Sequence, residues 1–508
     1  MGTHNPELSK NPQFYRIAEW LFLGLILALG FLRRQSHNGI GAELQVGPHS
    51  TLAVLNRSAL RLLTTFAGEA AGGQIPAELR ERWGDQWVEA ALRQMIALGL
   101  LVQEGQIALS PSTEDATLIA WMHITNRCNL RCSYCYLPHG RTDMSVETGR
   151  AAIAATIRSA LAHSYGAIKL KYAGGEAMLR FPVVADLHAY AQAQASSSGL
   201  ALDGVVLSNG TLLTTEVAHT MRALGLRLML SLDGLGAAHN GQRAYGDGRE
   251  SAAAAVSAID LALAYDLALS VSVTVSSRNV SALPRLVTWL LERGLRFRLH
   301  FYRENERSAS IADLHLEQER IIAGMLETYR AVEAQLPRHS VLTSLVDLAN
   351  LAAPHVRTCG VGHNYLVFDE QGQVAKCQMQ ICRSITSVTS ADPLMLIRAD
   401  REGVQNLSVE AKAGCQTCEW RYWCAGGCPL TTHRATARYD VKSPNCAIYK
   451  ALYPEVMRLE GLEDDLPGVK SVVASYRKGQ MTVEYDETRL SEAQILAAVA
   501  RLGYTATA

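Results

Sequence analysis

The sequence has 508 residues, 48% hydrophobic and 19% charged, which is the composition of a globular protein too long for a single core. Lys and Arg together number 48, as do Asp and Glu, and the lack of a basic excess argues against a nucleic-acid partner. The eleven cysteines fall in two groups, 128–135 and 359–446, which indicates metal ligands rather than the disulfide framework of a short secreted protein.

The first predicted element is an apolar helix over 20–32, within an N-terminal segment 1–42. Its length of roughly 20 Å falls short of the ~30 Å hydrocarbon core of a bilayer. A buried or interfacial helix, a membrane anchor and a misassigned start all remain open. Arg33 and Arg34 would keep the body of an anchored chain in the cytoplasm. We therefore expect a cytoplasmic protein, with membrane association through 20–32 as the alternative.

Residues 43–112 have the outline of a winged helix. Strands are predicted at 43–46 and 52–55, followed by three helices and a last pair of strands around Gly105. The third helix ends at Gly99, where its helical spacing of apolar residues stops.

Residues 113–344 alternate strands with amphipathic helices. Six strand–helix units predict parallel pairing, in a barrel or a doubly wound sheet, with the functional loops at the carboxyl ends of the strands. The strands are predicted at 118–124, 168–173, 205–208, 226–232, 267–275 and 295–301, and representative helices at 145–162, 182–197 and 281–293.

The last two regions differ sharply from each other. Residues 345–452 are rich in loops, hold eight of the eleven cysteines and have little apolar periodicity, so bound metal would have to supply stability. Residues 453–508 predict a small ferredoxin-like α/β unit, with strands at 469–476 and 480–485 before a helix at 491–502.

Three cysteines directly follow the first predicted barrel strand. Cys128, Cys132 and Cys135 have the spacing C-x3-C-x2-C. Three thiolates can hold three irons of a four-iron cluster and leave the fourth iron open for another ligand. A structural zinc site would need a fourth ligand, and no His or Cys nearby completes the set.

This motif and the strand ends that follow it resemble the radical S-adenosylmethionine (radical SAM) superfamily. The resemblance implies a partial (β/α)6 barrel and a [4Fe-4S] cluster on the catalytic Cys128, Cys132 and Cys135. It also implies reductive cleavage of S-adenosylmethionine to a 5′-deoxyadenosyl radical. Ala177 stands where the family usually has proline. The implied cofactor contacts are Tyr134 at the adenine, Gly174, Gly175 and Glu176 at the methionine amino group, and Ser208, Asn209, Asp233 and Arg243 at the ribose and methionine carboxylate.

The second cysteine group resembles the SPASM domain, which carries auxiliary iron–sulfur clusters in peptide-modifying radical enzymes. Gly372 matches the turn of that domain. The resemblance implies two auxiliary [4Fe-4S] clusters. The implied outer set is Cys415, Cys418, Cys424 and Cys446, and the implied inner set is Cys359, Cys377 and Cys428.

Two positions bear on what the inner set does. The fourth iron could be open to substrate, or Cys382 could complete the set. Relatives that oxidise sulfatases have an aspartate after the cysteine that matches Cys377, and it is thought to take the substrate proton. Gln378 stands there in this sequence and cannot act as a base, which argues against a sulfatase-maturing activity.

The flanking regions carry two further resemblances. Residues 43–112 resemble the peptide-recognition element of ribosomal-peptide maturases, which binds a leader peptide by strand addition. The alternatives are a structural cap and a DNA-type winged helix, although no basic recognition helix supports DNA binding. Residues 453–508 resemble a heavy-metal-associated domain but lack its cysteine pair, since no cysteine follows Cys446. We therefore expect a packing or docking unit without a metal.

Together these features predict an enzyme that modifies a ribosomally made peptide, for example by a thioether or carbon–carbon crosslink. The implied partners are a precursor peptide with a leader and a reducing protein such as flavodoxin or ferredoxin. The alternatives are an oxidative maturase of a protein side chain, as in sulfatase maturation, or an iron–sulfur electron carrier.

Overall fold

The computed structural model describes residues 116–337 and 339–464 throughout. It also describes single residues 81 and 88 and the strand residues 15–16, 42–46, 52–56, 102–103, 469–475 and 480–485. The chain divides into two compact units. One comprises Ser112–Pro337 and Val341–Val456, and the other comprises Met1–Pro111, Arg338–Ser340 and Met457–Ala508. The predicted cysteine-rich region and all of the predicted barrel except residues 338–340 thus lie in one unit.

The first unit is built on a nine-stranded sheet with the order β6-β5-β4-β3-β2-β1-β7-β8-β9. Strands β1 to β6 are mutually parallel, as the alternating pattern predicts, and β7 adds parallel to β1. The strands are β1 Thr117–Thr125, β2 Ala167–Gly174, β3 Ala201–Ser208, β4 Arg227–Ser231, β5 Leu269–Val275, β6 Arg296–Phe301, β7 Tyr365–Phe368, β8 Gln373–Ala375 and β9 Ser384–Ser387.

Helices connect the parallel strands and then continue into the cysteine-rich region. The α-helices are α1 Val146–Ala162, α2 Phe181–Ser197, α3 Thr215–Ala223, α4 Ala252–Ala264, α5 Leu283–Glu292, α6 Gln318–Ala334, α7 Pro393–Ala399, α8 Pro429–Thr436 and α9 Cys446–Asp464. Single-turn α-helices lie at Ala237–Asn240 and Arg421–Cys424, and 3-10 turns at Ala177–Arg180, Val280–Ala282, Ala312–Leu314, Gln378–Gln380 and Val409–Ala411.

Local sequence explains where the barrel helices begin. The Ser145 hydroxyl accepts a hydrogen bond from the backbone N–H of Thr148, and Thr214 caps α3 in the same way through Val217. Such caps satisfy backbone donors that the first turn leaves without partners. Helix α2 instead begins with Pro182 in its first turn, where a missing N–H costs nothing.

The sheet is curled, with its two faces in different surroundings. On β2, Leu170 and Tyr172 are fully buried, whereas the alternate residue Lys171 is partly exposed and lies on the inner face. Lys171 interacts electrostatically with Arg298 of β6, four strands away. A flat sheet would separate the two strands by roughly 19 Å. The inner face therefore encloses a lumen, which is the partial barrel that the sequence predicts.

The cysteine-rich region continues this barrel through its own strand. Tyr365 of β7 pairs with Ile119 of β1. The turn to β8 contains Gly372 with φ of +81°, a conformation that favours glycine, as the sequence predicts for a turn here. Asp392 caps α7 and also accepts a hydrogen bond from Ser159 of α1, so α7 is fastened to the barrel.

Outside residues 116–464, the structure describes three pairs of strands. Ala42–Val46 pairs antiparallel with Leu52–Asn56, at the positions predicted for the first strands of the winged helix. Val102–Gln103 pairs with Tyr15–Arg16, and Val469–Ser475 pairs with Gln480–Tyr485. The predicted helices of 43–112, the apolar segment 20–32 and the helix at 491–502 lie outside the described residues. Within the described part of the chain, no helix has the length and apolar character needed to cross a membrane.

Candidate functional site: three sets of cysteines around a barrel lumen

The loop that carries Cys128, Cys132 and Cys135 is held by the end of β2. The backbone N–H of Gly175 donates to the carbonyl of Thr125, and that of Glu176 donates to the carbonyl of Arg127. A Cβ at Gly175 would lie 2.2 Å from the Arg127 carbonyl oxygen. We therefore attribute the need for glycine at position 175 to close approach of the cysteine loop.

A second segment holds the same loop from the side of β4. Arg131 donates its backbone N–H to Ala244, Ser133 donates to Gln242, and Gly246 donates to Asn129. The loop is thus fixed by backbone hydrogen bonds on both sides, which gives its three thiols a defined arrangement.

Glu176 is buried at the carboxyl end of β2, with 1% of its surface exposed. Its carboxylate accepts hydrogen bonds from the Ser208 hydroxyl at 2.8 Å, the Asn209 N–H at 2.7 Å and the Met178 N–H at 3.0 Å. Burial raises its pKa, and these three donors partly offset that effect. A carboxylate has about four acceptor positions, so one remains for an ammonium group such as that of a bound methionine moiety.

Asp233 forms a compact cluster with two other predicted contacts. Its carboxylate accepts a hydrogen bond from the Tyr134 hydroxyl at 2.5 Å and one from the Arg243 guanidinium at 2.8 Å, and it also accepts the Thr274 N–H. Arg243 lies over the Tyr134 ring, with 5.4 Å between its guanidinium carbon and the ring centroid. Because Asp233 has no exposed surface, it can act on a cofactor only through these partners.

The cysteines form three groups in space. Cys135 is within electrostatic range of Cys128 and Cys132, Cys428 of Cys359 and Cys377, and Cys446 of Cys415, Cys418 and Cys424. Burial raises the pKa of Cys128 to about 11 and that of Cys132 to about 12. These thiols are therefore protonated at neutral pH, and binding to iron must release their protons.

The outer set surrounds a cavity. Cys415, Cys418, Cys424 and Cys446 all line one space of about 340 Å³, its open side included. Four soft thiol donors around one cavity suit an iron–sulfur cluster. Within the described residues, no three His, Cys, Asp or Glu side chains converge as a single metal ion would require. A cluster has several irons, and each needs only one protein ligand, so this finding does not conflict with the fit.

The inner set adjoins the barrel lumen. Cys377 and Cys428 are buried in an apolar cluster with Trp121 of β1 and Ala173 of β2, and Cys359 packs against it. Tyr136 interacts electrostatically with both Cys135 and Cys377, so this ring lies between the first set and the inner set.

Lys412 is a buried cation close to both auxiliary sets of cysteines. Lys412 is 1% exposed, and its ammonium donates to the Ala425 carbonyl at 2.7 Å. Its charge interacts with two thiols of each set, which places it between them.

Cys382 is exposed, unlike the buried Cys377 and Cys428, which argues against its completing the inner set.

Three residues that shape this site were not predicted from the sequence motifs. Asn129, inside the cysteine motif, accepts a hydrogen bond from the Asn209 amide at 2.9 Å and so ties the loop to β3. Lys171 and Arg298 lie on the lumen face. Parallel strands buried on both faces are usually continuously apolar, so the basic residues that alternate along β2 and β6 were the available signal.

Two family models match the sequence. Residues 122–289 match the Radical SAM superfamily, a range that begins within β1, ends within α5 and includes the first cysteine set. Residues 464–505 match the heavy-metal-associated domain, in the region where the sequence indicated that resemblance.

The chain is also similar to known proteins. It is 26% identical over 406 residues to the serine-type anaerobic sulfatase-maturating enzyme of Klebsiella aerogenes, covering 76% of this chain and 95% of that protein. It is 26% identical over 176 residues to an uncharacterized protein of Methanocaldococcus jannaschii, covering 34% of this chain and 59% of that protein. The structure of native anSMEcpe with bound AdoMet and Cp18Cys peptide shares the fold, with a TM-score of 0.56, 17% identity and coverage of 69% of this chain and 99% of that one.

These observations define the class of the protein: it is an enzyme that catalyses radical S-adenosylmethionine chemistry. Its cofactors are S-adenosylmethionine and a [4Fe-4S] cluster. It is related to sulfatase maturases and to SPASM-type proteins.

Proposed function

We propose that this enzyme modifies a ribosomally made peptide, using auxiliary clusters on the inner and outer cysteine sets. The observation that carries the proposal is the position of the inner set, which packs against the lumen residues Trp121 and Ala173 close to the cysteine loop. A substrate in the lumen would lie between that loop and the inner set.

The residues of the chain have separate roles in this proposal. Cys128, Cys132 and Cys135 hold the cluster that, when bound, supplies one-electron cleavage of S-adenosylmethionine to a 5′-deoxyadenosyl radical. Glu176 binds the methionine ammonium, and Tyr134, held by Asp233, positions the adenine. The curled sheet holds a substrate C–H near the loop and excludes water.

The substrate class rests on two further points. The relative from Klebsiella aerogenes is named as a sulfatase-maturating enzyme, so its substrate is a protein. The strand pair Ala42–Val46 and Leu52–Asn56 is the kind of sheet that can capture an extended leader peptide by strand addition.

Oxidation of a protein side chain, as in sulfatase maturation, is the second candidate, favoured by the extent of that similarity. Against it stands Gln378, whose amide oxygen lies 4.0 Å from the Cys377 sulfur. An amide cannot take a proton from an alcohol or thiol during oxidation. The residue that such a reaction uses as a base is therefore missing at this position.

The test compares full-length enzyme with a variant that starts near residue 113. Each is given the short peptide encoded beside its gene or, separately, a sulfatase peptide, and 5′-deoxyadenosine and modified peptide are measured separately. We expect modification of the neighbouring peptide, and a much larger loss of that activity than of cofactor cleavage in the shortened variant. A leader held in place raises the local concentration of the core peptide to roughly millimolar. Modification of only the sulfatase peptide would overturn the proposal in favour of the second candidate.

A further inference from the structure

Beside apolar residues such as Trp121, the lumen wall of the barrel carries a group of basic side chains. The inner face of β2 carries Lys169 and Lys171, that of β4 carries Arg227, and that of β6 carries Arg298 and His300. Barrel interiors of this general type are normally filled by branched apolar residues. A basic lining therefore needs a physical reason.

The acidic side chains Asp203 and Asp347, close to these basic residues, already form ion pairs. Asp203 of β3 forms ion pairs with Lys169, at 3.1 Å, and with Arg227. Asp347 forms an ion pair with Arg303 at 2.8 Å and accepts a hydrogen bond from the Tyr449 hydroxyl at 2.9 Å. Neither carboxylate is left to neutralise another cation.

Lys171 and Arg298 remain without an acidic partner among the residues that the structure describes. Burial lowers the pKa of Lys171 to about 8, and the positive charges of Lys169, Arg298 and Arg227 lower it further, while only Cys359 acts in the opposite direction. Lys171 is half-buried and Arg298 is exposed. Two like charges within electrostatic range of each other are unfavourable, and a bound anion would offset that repulsion.

The pair lies where a substrate has to lie. Lys171 comes three residues before Gly174, which is about 10 Å along the strand below the cysteine loop. Its ammonium is 5.7 Å from the centroid of the Tyr365 ring, beside the inner cysteine set. His300, on the same face as Arg298, has its pKa lowered to about 4, by burial first and then by Arg303, so it offers a neutral imidazole.

We propose that Lys171 and Arg298 bind a carboxylate of the peptide substrate inside the lumen and so fix which C–H faces the cysteine loop. A guanidinium binds a carboxylate through two parallel hydrogen bonds, and an ammonium adds a compact positive charge. The carboxylate belongs either to an Asp or Glu side chain of the core peptide or to its C-terminus. This inference rests on the proposed function and adds the substrate class to it.

The experiment uses the full-length enzyme with its clusters and the synthetic precursor peptide encoded beside its gene. Peptide versions replace each core Asp by Asn and each core Glu by Gln, one at a time, and a further version carries a C-terminal amide. Enzyme variants are Lys171→Gln, Arg298→Gln, the double variant and the conservative Lys171→Arg. Lys169→Gln is the matched control, because Lys169 lies on the same strand face but is already paired with Asp203. In this variant Asp203 keeps its ion pair with Arg227.

We expect one neutralised carboxylate to raise the KM of the wild-type enzyme for peptide at least about tenfold, as loss of a charged hydrogen bond does. The double variant should show a similar increase in KM for the peptide with its natural sequence. It should show no further increase in KM for the peptide in which the sensitive carboxylate has been neutralised. Lys171→Arg should restore most of the affinity, and Lys169→Gln should stay near wild type. The position of the sensitive carboxylate tells a side chain from the C-terminus.

Three outcomes would count against the inference. If the wild-type enzyme modifies every neutral peptide normally, the carboxylate site is wrong while the proposed function stands. If the variants instead raise the KM for S-adenosylmethionine, or change only the iron content and spectrum of the inner cluster, the pair serves a cofactor. If the wild-type enzyme modifies no peptide at all, the proposed function fails and this inference fails with it.

Discussion

The hydroxyl of Tyr134 donates a 2.5 Å hydrogen bond to the carboxylate of Asp233, which lies 99 residues further along the chain. Arg243 completes the cluster by pairing with the same carboxylate and covering the tyrosine ring. The orientation of the ring inside the cysteine motif is therefore set by a strand end that the motif does not contain.

Replacement of Asp233 by alanine should destabilise the enzyme strongly. The side chain of Arg243 is only 11% exposed and would remain as an unpaired buried charge. Loss of one partner of such a pair costs about 3–5 kcal/mol. Asp247→Ala is the control, because Asp247 and Arg249 are both well exposed and such a pair contributes little to stability. Thermal unfolding of the two variants measures the difference, and equal midpoints would contradict the burial argument.

Gly175→Ala should disable cleavage of S-adenosylmethionine. The added Cβ would lie 2.2 Å from the Arg127 carbonyl oxygen and 3.0 Å from the Cys128 Cβ, so the cysteine loop must shift. A displacement of about 1 Å can cost about 100-fold in rate. Gly166→Ala is the matched control, because its new Cβ would have no neighbour within 4 Å. Production of 5′-deoxyadenosine without peptide is the measurement, and normal production by Gly175→Ala would show that the loop tolerates the shift.

Combined replacement of Cys128, Cys132 and Cys135 by alanine should abolish cleavage but leave much of the iron. The other two sets form separate clusters of thiols and can fill independently. Iron analysis and mass spectrometry of the cofactor products test both parts. Cys382→Ala serves as the control, and because that thiol is exposed, we expect it to retain the full iron content. A folded triple variant without iron would argue against auxiliary clusters.

Lys412→Met should lower the reduction potentials of both auxiliary clusters. Lys412 interacts with thiols of both sets, so its positive charge favours the more negative, reduced forms. A unit charge at this range in protein is worth on the order of 100 mV. Lys450→Met is the comparison, because Lys450 interacts with Cys418 and Cys446 of the outer set and should shift the outer potential alone. Potentiometric titration followed by electron paramagnetic resonance separates the two, and an unchanged inner potential in Lys412→Met would refute the placement between the sets.

The C-terminal region should not bind copper(I) tightly. Thiolates select that ion, and no cysteine follows Cys446 although residues 464–505 match the heavy-metal-associated domain. A chain that ends at residue 464 should therefore bind as much copper(I) as the full-length chain in a competition assay. A loss of one tightly bound ion on truncation would reverse this expectation.

The sequence was sufficient to predict the parallel sheet, and its resemblances assigned the cysteines to three sets. The strand positions agree within a few residues, because alternation of apolar strands and amphipathic helices is a local pattern. The grouping of Cys359 with Cys377 and Cys428 came from resemblance to a known spacing, and the structure brings these three thiols together. A motif that directly follows a strand or forms a turn can be identified from local sequence, without knowledge of the rest of the chain.

Only the tertiary structure determined which polar and charged side chains lie next to one another. The sequence could not tell that Asp233 is enclosed by Tyr134 and Arg243, because burial depends on every element packed around a side chain. It could not show that Lys171 and Arg298 come within electrostatic range of each other either. They lie four strands apart, and only the curl of the sheet turns two alternating patterns into one lumen wall, because curvature is a property of the whole sheet.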